Sequence, residues 1–195
     1  MHFTYYLPYS TGLTISGRGS KKRMRKKGEL VFTKTFNYRY SIGNLMDVSV
    51  VGHRSSKLKD ELAIAAEYYA SLLLPRRICK NISLNIRLMP KLADDAMGYC
   101  SYVERDGQYK EFEIELYKKM SKEELLKYLA HEVVHMKQFA LGELNDGFVS
   151  KRKARWQSSH IDENKVDYWD QPWEIEAYGR EIGLYARYVE TFGSD

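Results

Sequence analysis

His131-Glu132-Val133-Val134-His135 places two imidazoles four residues apart with a carboxylate beside the first. On an α-helix, residues four apart lie one turn apart on the same face, so both ring nitrogens can reach one metal ion. Glu132 is rotated by about 100° from His131. That directs its carboxylate toward a water on the metal and away from the metal itself. Zinc lowers the pKa of such a water toward neutrality, and a neighbouring carboxylate can take its proton as it attacks a carbonyl. His131 and His135 are therefore read as metal ligands, and Glu132 as the general base.

A catalytic zinc needs three protein ligands and an open position. The candidates for the third are Glu174 and Glu176, near the start of the last expected helix, and His160 in the segment before it. A carboxylate on a helix is held more rigidly than a histidine on a loop, but an acid in a first turn also simply favours the helix dipole. Acyl transfer further calls for a donor beside the carbonyl oxygen, for which His160, Tyr168 and Tyr178 are placed to serve. Trp156, Trp169 and Trp173 around this segment read as core or cleft wall.

The elements that must hold these groups are readable from periodicity. Leu58, Leu62, Ala65, Ala66, Tyr69, Leu72 and Leu73 recur at helical steps until Pro75 stops the run. Residues 83–88 alternate, with Leu84, Ile86 and Leu88 on one face and Pro90 beyond them. Residues 99–104 read as the next strand. Residues 109–117 alternate most cleanly, with Phe112, Ile114 and Leu116 opposite Glu111, Glu113 and Glu115, as in an edge-type strand covered on one face. Asp106-Gly107 suits the hairpin turn between these two strands. Ser121-Lys122-Glu123-Glu124 is a capping box. It starts a helix through Leu125, Leu129, Val133, Met136 and Phe139, with Gly142 as terminator. A polar segment read as loop follows, and a last helix begins near Asp170 or Gln171 with Pro172 in its first turn.

With these elements in place, the chain resembles the compact zincin metallopeptidases over roughly residues 58–195. The Glu-ligand branch, including the ImmA/IrrE-type and thermolysin-like peptidases, has a downstream E-x-x-A-[DN] or E-x-x-x-D pattern. Glu174-Ile175-Glu176-Ala177-Tyr178 matches its E-x-x-A part, with Tyr178 where the pattern has Asp or Asn. The resemblance implies Glu174 as third ligand. His131-Glu132-x-x-His135-x-x-Gln138 is also similar to the SprT-like proteins, which use a later His. The zincin likeness implies an α+β fold: a small antiparallel sheet, the motif helix and a ligand-bearing carboxy-terminal helix. It also implies a zinc cofactor and a polypeptide substrate laid along the strand over residues 109–117, whose three Glu would favour basic stretches.

Composition frames the rest. Charged residues at 29% and apolar ones at 44% suit a folded soluble domain and exclude a disordered chain. The net charge of +5 is uneven: residues 1–57 hold 11 Lys or Arg against 2 acids, while residues 58–195 hold 20 against 24. This divides the chain into a basic amino-terminal extension, 1–57, with strand-like stretches at 30–40 and 48–51, and a metallopeptidase-like domain, 58–195. Lys21, Lys22, Arg23, Arg25, Lys26 and Lys27 are a phosphate-binding composition, so nucleic acid is a candidate partner of the arm. No signal peptide or membrane span is evident, and Cys79 and Cys100 have no metal or redox spacing; two free thiols and a cytoplasmic location are expected. The rival to a peptidase is a catalytically silent zincin-fold protein with a regulatory or nucleic-acid-associated role.

Overall fold

A four-stranded sheet built from non-adjacent parts of the chain carries the motif helix on one face. The computed structural model describes residues 45–105, 108–146 and 153–193. The basic cluster at 21–27, the strand-like stretch at 30–40 and the Asp106-Gly107 turn lie outside the described residues. Strand β1 (Asp47–Val51) leads through helices α1 (Ser56–Leu73) and α2 (Arg76–Cys79) to β2 (Ser83–Met89), followed by β3 (Gly98–Arg105) and β4 (Gln108–Tyr117). Helix α3 (Lys122–Ala140) comes next. Three short strands, β5 (Leu144–Asp146), β6 (Lys153–Trp156) and β7 (Ser159–Asp162), then precede helix α4 (Pro172–Phe192). The architecture is α+β.

The main sheet has the order β1-β2-β4-β3. It is mixed, which corrects the antiparallel sheet expected from sequence. β1 pairs parallel with β2, β2 pairs parallel with β4, and only β3 and β4 are antiparallel. For β1 and β2 the reason is the connection: α1 and α2 carry the chain back across the sheet, and such a crossover returns a strand in the same direction. β3 then takes the place beyond β4, and their antiparallel pairing sets β4 parallel to β2. A second correction concerns β4, which is an interior strand between β2 and β3, while β3 is the edge. β1 precedes residue 58, where the domain was expected to begin, and is a hydrogen-bonded member of this sheet.

Alternation along β2 and β4 turns Leu84, Ile86, Phe112, Ile114 and Leu116 into the core. There they meet Leu62, Ala66 and Tyr69 of α1 and Leu125, Leu129, Val133 and Met136 of α3. Each fully buried side chain of this size contributes about 1.5–3 kcal/mol. Trp173, Ala177, Leu184 and Tyr188 on one face of α4 close the core from the other side. The Tyr68 hydroxyl of α1 lies 3.0 Å from Thr191 Oγ1 of α4 and ties the two helices together. Glu111, Glu113 and Glu115 occupy the opposite face of the sheet, where Arg87 pairs with Glu113 at 3.0 Å and Glu115 at 3.2 Å.

The segment read as loop between α3 and α4 holds the three-stranded antiparallel sheet β5-β6-β7. Ala154 is buried, and the Trp156 ring stands 6.3 Å from that of Trp173, which attaches this sheet to the start of α4. Cys79 is a buried free thiol. Among the described residues, no helix is long and apolar enough to cross a membrane.

Candidate metal centre

The motif helix begins as its sequence demands. Ser121 Oγ accepts from the Glu124 amide at 3.2 Å, and Glu124 Oε2 accepts from the Ser121 amide at 2.8 Å. A reciprocal cap of this kind is worth about 1 kcal/mol. The first turns of α3 are amphipathic, but every residue from Leu129 to Phe139 is buried, between the sheet and α4. A helix enclosed all round has few polar groups without a purpose. Here the polar groups include His131, Glu132 and His135.

These residues meet Glu174 from the first turn of α4. His131 Nε2 and His135 Nε2 are 3.1 Å apart. Glu174 places Oε2 3.4 Å from the first and Oε1 3.5 Å from the second. Two ligands about 2.0–2.1 Å from a tetrahedral zinc would stand about 3.3–3.4 Å from each other, so the three side chains fit a common metal ion. Of the described His, Cys, Asp and Glu residues, only this set of three is grouped so. His160 lies exposed on β7 opposite Arg155, apart from it. Glu176 faces Lys137 and Gln138 instead, at 2.8 and 3.1 Å.

The outer nitrogens of both imidazoles are also engaged. His131 Nδ1 is 2.9 Å from Glu181 Oε2, and His135 Nδ1 is 2.9 Å from Gln138 Oε1. Gln138 spends its amide NH2 on Trp173 O at 2.9 Å and on Glu176. Its Oε1 must then accept, and His135 Nδ1 donates. The Glu181 carboxylate is likewise an acceptor, so His131 Nδ1 donates. Both neutral rings therefore carry their lone pair on Nε2, where the two point at one another and at Glu174. An acceptor or carboxylate on the far nitrogen is the usual orienting partner of a metal-bound His.

Glu181 was not anticipated from sequence. The zincin pattern puts an acid four residues after the ligand Glu, and Tyr178 stands there; Glu181 takes the imidazole from seven residues on, two turns further along the same face. Tyr178 instead lays its ring edge-on to His131, with centroids 4.5 Å apart. The Tyr168 hydroxyl donates to Glu174 Oε2 at 2.8 Å and is also hydrogen-bonded to Tyr178.

Gly98 is the other unanticipated residue. It opens edge strand β3 directly against Glu132, and a Cβ there would lie 2.5 Å from Glu132 Oε1. A glycine lets the strand pass this close without moving the Glu132 carboxylate. Its signal was a side-chain-free position at the head of a strand.

Burial and charge shape the acids and bases. Burial raises the Glu132 carboxyl to about 7, against the pull of His135 and His131. Burial opposes charge on His131 too, but hydrogen bonds to Glu174 and Glu181 raise it to about 9. Burial would raise Glu174, yet its bonds to His131, His135 and Tyr168 hold it down at about 2. The two carboxylates thus draw positive charge to the point between the imidazoles. No family model, no curated protein and no solved structure matches this chain.

Proposed function

We propose that this chain is a metal-dependent hydrolase, and specifically a zinc peptidase of the HExxH type with Glu132 as general base. The observation that carries this reading is the pair of Nδ1-pinned imidazoles whose Nε2 atoms face each other and the Glu174 carboxylate. One proton placed there serves two of the three acceptors, whereas a divalent ion serves all three.

His131, His135 and Glu174 would hold the zinc, which when bound supplies a Lewis acid that lowers the pKa of a water and polarises a carbonyl. Glu181 and Gln138 orient the two imidazoles. Glu132, with a carboxyl pushed to about 7 by burial, is poised near neutrality to accept the proton of the attacking water and return it to the leaving amine. The Tyr168 hydroxyl, which donates to Glu174, and the Tyr178 hydroxyl bonded to it stand beside the group, and one of them would have to leave its present acceptor to donate to the carbonyl oxygen as it gains charge. A polypeptide is the fitting substrate because β3 is an edge strand of the sheet among the described residues and starts beside Glu132, and an added strand would bring its carbonyls past that carboxylate.

Elemental analysis of the purified chain together with digestion of an unfolded protein tests this. One zinc per chain is expected, retained in Glu132→Gln with loss of cleavage. A chain that takes up no zinc, or cleavage that survives Glu132→Gln, overturns it.

A further inference from the structure

Resting on the hydrolase reading, the surroundings of the metal centre also indicate what it selects. Trp169 is 65% exposed, the most of any large apolar side chain described. It is nonetheless held in place. Its amide donates to Asp167 Oδ1 at 3.1 Å, which fixes the short turn Tyr168–Asp170 before α4. Its ring packs on Tyr178 at 5.0 Å and on the edge of Tyr168 at 5.4 Å. Since Tyr178 touches His131, the indole is two ring contacts from the metal group. A large aromatic surface that is rigid, solvent-facing and this close to the chemistry is an unused binding surface.

The electrostatics say which side chain it suits. Glu174 and Glu181 already match the charge of one divalent ion, and an ionised Glu132 would leave a local excess of negative charge. Asp167 and Asp170 on the Trp169 turn add to it. Cations on the neighbouring elements are paired with other acids: Lys165 with Asp162 at 3.9 Å, Arg180 with Glu176 at 2.8 Å, Lys137 with Glu143 and Glu176, and Lys127 with Glu123. An indole face is the strongest cation-binding ring among the side chains, and negative surroundings strengthen it. We propose that Trp169 forms a subsite for a Lys or Arg side chain next to the scissile bond of the polypeptide substrate. The preference for basic stretches expected of Glu111, Glu113 and Glu115 has no part in this. Those residues lie on the sheet face turned away from α3.

The test uses the full-length, zinc-loaded chain and three matched peptides carrying Arg, its uncharged isostere citrulline, or Phe at one position. Binding is measured by fluorescence anisotropy in the Glu132→Gln background, and cleavage in the chain with Glu132 intact. About tenfold tighter binding of the Arg peptide than of the citrulline peptide is expected. Trp169→Phe should shrink that ratio and Trp169→Ala should bring it close to one. Equal binding of the Arg and citrulline peptides, tighter binding of the Phe peptide, or a ratio that survives Trp169→Ala overturns the subsite. Arg-selective binding without cleavage by the intact chain keeps the subsite and rejects hydrolysis. Cleavage indifferent to charge keeps hydrolysis and rejects the subsite.

Discussion

Glu174 and Glu176 are two residues apart on α4, both partly or fully removed from solvent, and they sit in opposite electrostatic situations. Glu176 is balanced within the chain: Lys137 reaches it at 2.8 Å and Glu143 at 2.6 Å, with Arg180 also on Glu176 at 2.8 Å. Glu174 faces two imidazole nitrogens whose partner nitrogens already donate elsewhere. The first cluster closes on itself and needs nothing more. The second collects acceptors around a point, which a cation would complete. Burial of charge alone therefore does not mark a site; incomplete pairing does.

Exchanging the two acids breaks this comparison most directly. Glu174→Gln should lose stoichiometric zinc, whereas Glu176→Gln should keep it, both read by elemental analysis after gel filtration. Equal zinc in both variants would remove the distinction. Next in size is Gly98→Ala, which forces the Glu132 side chain aside without touching a proposed ligand. Turnover should fall about 100-fold, the scale of a misplacement of about 1 Å, with zinc content intact. Zinc loss in this variant would mean that Glu132 shapes the metal group itself.

A smaller effect is expected outside the ligand set. Glu181→Gln keeps an acceptor near His131 Nδ1 but removes its charge. Zinc affinity, measured by competition with a chelator, should weaken by about 10- to 100-fold. An unchanged affinity would reduce Glu181 to a packing contact.

Much of this was legible beforehand, and the limits have physical causes. The capping box, the helical period through His131 and His135 and Pro172 at the head of α4 are local signals, and each element appears where they put it. The alternation of β4 correctly separated Phe112, Ile114 and Leu116 from the three Glu. Alternation reports which face is covered, however, and is silent about neighbours along the hydrogen-bonding direction. β4 could therefore be taken for an edge, and the parallel pairing of β1, β2 and β4 stayed hidden. Strands of three or four residues such as β5, β6 and β7 are too short for a period, and His160 pairs with Arg155 there on backbone terms. Glu181 shares the face of Glu174 at helical spacing. Spacing alone does not separate it from the other acids of α4, since which imidazole it meets depends on how α3 and α4 pack.

The self-balanced cluster supports the finest test. Burial would raise the Glu176 carboxyl, but hydrogen bonds from Lys137 and Gln138 and the charges of Lys137 and Arg180 hold it below the ordinary carboxylate value. A folded-state pKa depressed below the unfolded one contributes stability that is present above the unfolded pKa, about 4.3 for Glu. That stability is lost as pH falls through the folded value. Glu176→Gln leaves Lys137 with Glu143 alone and should cost about 1–2 kcal/mol near neutral pH, a drop in Tm of about 2–8 °C for a domain of this size. As pH falls below about 4, wild type should lose this advantage while the variant has none to lose, so their Tm values should converge. Parallel melting curves across that range would show that Lys137 and Arg180 do not depress Glu176 in the folded chain. The contrast with Glu174 would then rest on the imidazoles alone.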